Sequence, residues 1–102
     1  MMIMTVLEAH VAPENWSTLG TSYAKGLEHM PAQMVQTFLV HSTSDATLWQ
    51  GISVWQSREA LDEYRKSVET PGGVLMFRSA GAEPRLSIHE VVTHRANTAS
   101  LG

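Results

Sequence analysis

The chain has 102 residues, enough for one domain around a single core, and 43% hydrophobic against 17% charged residues excludes a disordered protein. The formal net charge is −3 and the seven lysines and arginines are scattered, which argues against a nucleic-acid surface. With no cysteine, disulfides, thiolate metal sites and cysteine nucleophiles fall away together, and a reducing, cytoplasmic setting is expected.

Residues 3–11 are rich in β-formers and predict a first strand. The opening apolar run has no basic leader and is broken early by Glu8, so it reads as a strand and neither a signal peptide nor a membrane span. Pro13 suits the first turn of a helix, where its missing N–H is no loss. Trp16, Leu19, Tyr23, Leu27 and Met30 then recur at steps of three and four, an amphipathic stripe that Pro31 stops. Residues 34–41 predict a second strand, residues 42–46 a polar hairpin turn, and residues 47–56 a third strand.

Ser57 is a candidate N-cap, with Glu59 in the first turn facing the positive end of the helix dipole. Leu61, Tyr64 and Val68 give that helix its apolar face. Thr70-Pro71-Gly72-Gly73 interrupts it, and residues 74–80 predict a further short helix. The final strand is expected over 85–94, and residues 96–102 as a frayed tail beyond a single domain of residues 1–95. The order is β-α-β-β-α-β, a ferredoxin-like α+β arrangement. Chain-crossing rules favour an antiparallel four-stranded sheet in the order 4-1-3-2, with the helices on one face.

Alternation splits each strand into two faces. Met34, Phe38 and Val40 oppose Val35, Thr37 and Leu39. Leu48, Ile52 and Val54 oppose Trp49 and Trp55, Ile3, Leu7 and Val11 oppose Met4 and Val6, and Leu86, Ile88 and Val92 oppose Val91. Neither face carries the polar alternation of a solvated sheet. Leaving large apolar side chains in water would cost about 1.5–3 kcal/mol each, so a homodimer with sheet packed on sheet is expected.

The run "VWQSREALDEY", a broken helix, "GGVLMFRSAGAEP" and a final strand resemble the antibiotic biosynthesis monooxygenase family of the dimeric α+β barrel superfamily, over about residues 3–95. The resemblance implies a ferredoxin-like subunit, a twin that completes a barrel, and a small pocket between sheet and helices. On that view the broken helix roofs a cavity, with Gly72 and Gly73 free to take backbone angles that other residues resist, and with Val74, Leu75, Met76 and Phe77 turned inward or toward the twin. A bent connection over an ordinary core is the competing reading.

The resemblance further implies a cofactor-independent monooxygenase acting on a small aromatic compound, polyketide- or quinone-like. A non-catalytic ligand-binding or structural homodimer is the alternative, because a shared fold does not establish a shared reaction. The haem-degrading branch uses a first-strand asparagine, a tryptophan and a histidine. Here Glu8 and Ala9 occupy the first position, Tyr64 stands near the second and Val74 follows ten residues on, so haem is not expected.

His89 lies mid-strand beside the first strand, where Glu8 or His10 could orient it as a general base, although a structural histidine has the same pattern. Tyr64 and Tyr23 suit the orientation of a phenolic ligand or plain core packing. Trp55 suits the pocket rim and Trp49 the dimer interface. Met30, Met34 and Met76 suit an adaptable wall, and Phe77 a pocket lining. The five histidines have no metal-ligand spacing, so no metal is expected.

Overall fold

A computed structural model describes residues 1–97. The expected frayed tail lies outside the described residues from position 98 on. Four strands and three helices follow in chain order: β1 (Ile3–His10), α1 (Trp16–Gly26), β2 (Met34–His41), β3 (Leu48–Trp55), α2 (Arg58–Ser67), α3 (Gly72–Ser79) and β4 (Arg85–Glu90). One turn of 3₁₀ helix leads into α1 at Pro13–Asn15 and another leads out at Leu27–His29. The expected last strand is shorter than its apolar letters suggest and ends at Glu90.

The strands form one sheet in the order β2-β3-β1-β4, every neighbouring pair antiparallel. This is the predicted ferredoxin-like order, read from the other edge. Ser57 caps α2, its hydroxyl accepting a hydrogen bond from the Ala60 amide at 3.0 Å.

All three helices lie on one face of the sheet. That face carries Ile3, Thr5, Leu7 and Ala9 of β1, Trp49, Gly51, Ser53 and Trp55 of β3, and Leu86 and Ile88 of β4, which pack toward the helices. The β2 alternation departs from expectation at its start. A bulge between Met34 and Gln36 leaves Val35 unpaired, so Met34 sits opposite Trp55 and joins the helix face while Phe38 and Val40 stay on the other.

The core gathers at two ends of the helix face. Phe77, Leu19 and Val11 are fully buried with Ala9 and Ala80 at one end; Ile3, Trp55 and Leu61 cluster at the other. Trp49, expected at a sheet-to-sheet interface, instead packs against the first cluster on the helix face. It shares the side-chain parity of Trp55 and so faces the helices, stacked on His41 with ring centroids 4.0 Å apart and tilted against Trp16.

Among the described residues no helix covers the opposite face. The register sets Phe38, Ile52 and Val6 side by side across β2, β3 and β1, an apolar rung in the middle of the sheet. Met4, Leu48 and Val40 flank it, with Phe38 47% and Val40 36% exposed. Residues 91–96 return along one end of this face, where Val91, His94 and Ala96 border a shallow depression with Met4 and Val54. That cover explains why Val54 is buried while its neighbours on the same face are not.

Candidate functional site

Between the two core clusters the helices stand off the sheet and leave a cavity of about 390 Å³. Its floor is made of small side chains on the inner strands: Thr5, Thr37, Gly51 and Ser53. Tyr23, Gly26, Leu27 and Met30 form one wall, and Leu61, Tyr64, Val68, Gly72, Gly73 and Met76 the other, with Trp55 at one end. Small floor residues under large helix residues create the space. Where the floor is Gly51 the gap closes again, because a Cβ there would lie 3.3 Å from the Phe77 ring and 3.5 Å from Tyr23.

The broken helix shapes the second wall. α2 stops at Ser67, the chain turns through residues 68–71, and α3 restarts with Gly72 and Gly73 in its first turn. Neither glycine has a positive φ, which among the described residues only Gly81 has, so the expectation of unusual backbone angles is corrected. Close approach explains Gly73: a Cβ would lie 2.7 Å from Leu7 Cδ1 on β1. Gly72 donates its amide to the Tyr64 hydroxyl at 3.0 Å, a staple across the break.

Of the sequence-predicted residues, Trp55, Tyr64, Tyr23 and Met76 all line the cavity, as do Met30 and Met34. The Trp55 and Tyr64 rings lie 5.1 Å apart. Phe77 is not a lining residue. One turn position beyond Met76 it points into the first core cluster and is fully buried beside the cavity.

His89 is not brought to the cavity either. It pairs with Met4, whose side chain faces away from the helices, and its Nε2 lies 2.9 Å from the Ser87 hydroxyl on the exposed side of β4. Glu8 pairs with Arg85, four residues away along the strand, and its carboxylate accepts from Gln50 at 3.3 Å, so no carboxylate orients His89 as expected. His89 has the parity opposite to Leu86 and Ile88, which face the helices, and so lies on the outer face.

The polar groups of the cavity are hydroxyls. Tyr23 hydrogen bonds Thr37, and Thr37 bonds Ser53 at 2.9 Å; at the other side of the floor the Trp55 indole donates to Thr5 Oγ1 at 3.0 Å. Burial pushes the Tyr23 phenol above its ordinary range, partly offset by its bonds to Thr37 and Ser53. It therefore stays neutral near pH 7 and serves as a hydrogen-bonding group, not a base. Arg65 and His29 of the lining are solvent-exposed at the mouth. Among the described residues no group of three or more histidines, aspartates and glutamates could hold a metal, and no helix is long and apolar enough to cross a membrane.

Similar architectures occur among solved structures. Rv0793 from Mycobacterium tuberculosis superposes with a TM-score of 0.69 at 14% identity, covering 94% of this chain and 100% of its own. A candidate antibiotic biosynthesis monooxygenase from Chloroflexus aurantiacus gives 0.67 at 15% identity over 94% and 98%. SnoaB from Streptomyces nogalater, a cofactor-independent oxygenase, gives 0.61 at 17% identity over 94% and 95%. The chain has the antibiotic biosynthesis monooxygenase fold. No protein-family model and no curated protein matches its sequence.

Within this fold, Gly26 controls how much of the cavity is open. A Cβ there would meet Met76 Cε at 2.0 Å, and a flexible thioether end can swing away at small cost. Both residues line the cavity, so an added Cβ at Gly26 takes up cavity space. Gly26→Ala is expected to melt at or above the parent temperature, because alanine favours a helix by up to about 1 kcal/mol over glycine. The same variant should bind 1-naphthol several-fold more weakly in a fluorescence titration; unchanged affinity would remove Met76 from the wall.

Proposed function

We propose that the protein is a cofactor-independent monooxygenase acting on a small aromatic, polyketide- or quinone-like compound, and that it works as a homodimer joined through the helix-free face of the sheet. The observation that carries this reading is the cavity itself: an apolar space of about 390 Å³ with aromatic walls and a few hydroxyls converging on its floor. The fold shared with SnoaB supports it. A cavity filled with side chains would have favoured the non-catalytic dimer instead.

In this reaction an electron-rich ring carbon supplies all the electrons. A ring methylene and dioxygen become a carbonyl and water, so no external reductant is needed. The chain's part is to exclude bulk water, hold the ring between Trp55, Tyr64 and Met76, and hydrogen bond the ring oxygen so that its electron-rich form is favoured.

The test is oxygen uptake with anthrone, without added flavin, nicotinamide or metal and in the presence of chelator. One oxygen consumed per anthrone oxidised, with ¹⁸O from labelled dioxygen in the product carbonyl, is expected at a rate well above buffer. If anthrone and a panel of dihydroxynaphthalenes bind but oxidise no faster than in buffer, the protein is a binding module.

A further inference from the structure

The sheet register aligns three hydroxyl residues on the cavity floor. Ser53 of β3 sits directly opposite both Thr5 of β1 and Thr37 of β2, so Thr37, Ser53 and Thr5 form one rung across three strands. These positions face the helices, where alternation calls for apolar side chains, and Thr5 and Ser53 are only 7% and 9% exposed. Two buried hydroxyls and the half-buried one of Thr37, in a row on a core face, need partners.

At one end the partner fixes the polarity. An indole N–H can only donate, so Thr5 Oγ1 accepts from Trp55 Nε1 at 3.0 Å. The Thr5 hydroxyl still has its own proton, and among the described residues no protein group accepts it. At the other end the chain is reversible. Tyr23 can donate to the Phe38 carbonyl at 3.2 Å while Thr37 donates to Tyr23 and Ser53 to Thr37; in the opposite sense Tyr23 donates to Thr37, Thr37 to Ser53, and Ser53 outward. The rung thus offers one fixed donor at Thr5 and one switchable group beside it at Ser53.

We propose that the Thr5–Ser53 rung is the specificity-determining subsite of this cavity, recognising a hydrogen-bond-accepting oxygen, carbonyl or phenolate, on an aromatic ligand. This rests on the reading that the cavity takes an aromatic ligand. The fixed donor selects an oxygen that accepts, and the switchable neighbour lets one subsite hold a substrate phenol oxygen and a product ketone in turn. The absence of a charged side chain on the floor disfavours carboxylate or ammonium groups at this depth.

The test compares two ligands of nearly one shape, 1-tetralone with its ketone and tetralin without it, by tryptophan fluorescence titration of the intact protein. 1-Tetralone should bind about tenfold more tightly, the ratio expected for one buried hydrogen bond. Thr5→Val should bring that ratio toward one with tetralin affinity unchanged and Thr5→Ser should restore it, while Ser53→Ala, which leaves the Thr5 donor in place, should lower it in part. Because Thr5→Val also strips the acceptor from the Trp55 indole, Ser53→Ala is the arm to rely on if that variant fails to fold. Equal binding of both ligands by the parent, or a ratio that survives both substitutions, overturns the subsite and leaves the oxygenase reading to the anthrone assay. Binding of neither ligand overturns the subsite and the aromatic reading of the cavity together.

Discussion

Phe77→Ala is expected to lose about 3–5 kcal/mol of folding stability, the usual cost of deleting a fully buried aromatic ring. Phe77 has no exposed surface and sits among Ala9, Val11, Leu19 and Ala80, most of them small or on rigid strand and helix backbone. Its ring edge also lies 3.3 Å from where a Cβ would stand on Gly51, which itself lines the cavity. Removing the ring leaves a hole that opens toward an existing void, so the surroundings have little to collapse onto. A domain of this size has about 5–15 kcal/mol in total, and each kcal/mol moves the melting point by about 4–8 °C. A fall of at least about 12 °C at fixed protein concentration is therefore expected. The control is on the same helix: Leu75 is 53% exposed, and Leu75→Ala should stay within about 0.5 kcal/mol of the parent. Equal losses at both positions would contradict the placement of α3.

Element order and strand order were legible because both rest on periodicity and on few chain-crossing choices. The steps from Trp16 to Met30 marked α1, although the α-helix ends at Gly26 and a 3₁₀ turn at Leu27–His29 carries the stripe on toward Pro31, and Ser57 announced α2 through a capping bond that is present. Faces were harder. A period of two tells which residues share a side, but not which side meets the helices, and His89, expected at a site, lies on the helix-free face. Trp49 has the parity of Trp55, so expecting one at an interface and the other at the pocket went against the alternation itself. The bulge at Val35 reversed Met34 for a similar reason, since one extra residue inverts all that precedes it.

The site itself was half legible. Trp55, Tyr23, Tyr64 and Met76 are large and stand on apolar stripes, so any pocket between helices and sheet would meet them. Thr5, Thr37 and Ser53 are small polar residues that strand sequences carry everywhere, and they become a group only when the register puts them in one row. One signal was available: each interrupts the apolar parity of its own strand on the face that Ile3, Leu39 and Trp55 mark as inner. Gly26 gave no signal, and Gly73 was marked as part of the helix break for its backbone freedom, not for its close approach to Leu7, which is a tertiary fact.

If the proposed sheet-to-sheet homodimer forms, Ile52→Lys is expected to convert it to a folded monomer at low micromolar concentration. Ile52 stands at the centre of the helix-free face between Phe38 and Val6, and the rung they form is the most continuous apolar strip on that side. In a sheet-to-sheet dimer this strip meets its own copy near the twofold axis, so one substitution places two ammonium groups in one dry contact. An unpaired buried charge costs about 3–5 kcal/mol, which corresponds to a dissociation constant raised roughly a hundredfold or more. The isolated subunit should tolerate the change, since the lysine stem can lie along the half-exposed sheet with its head in water. Sedimentation velocity should give the dimer mass for the parent and the monomer mass for Ile52→Lys. The buried Trp55, on the other side of the sheet, should keep its blue-shifted emission in both. A parent that sediments as a monomer at that concentration rules out the sheet-to-sheet dimer, and the apolar rung would then need another partner.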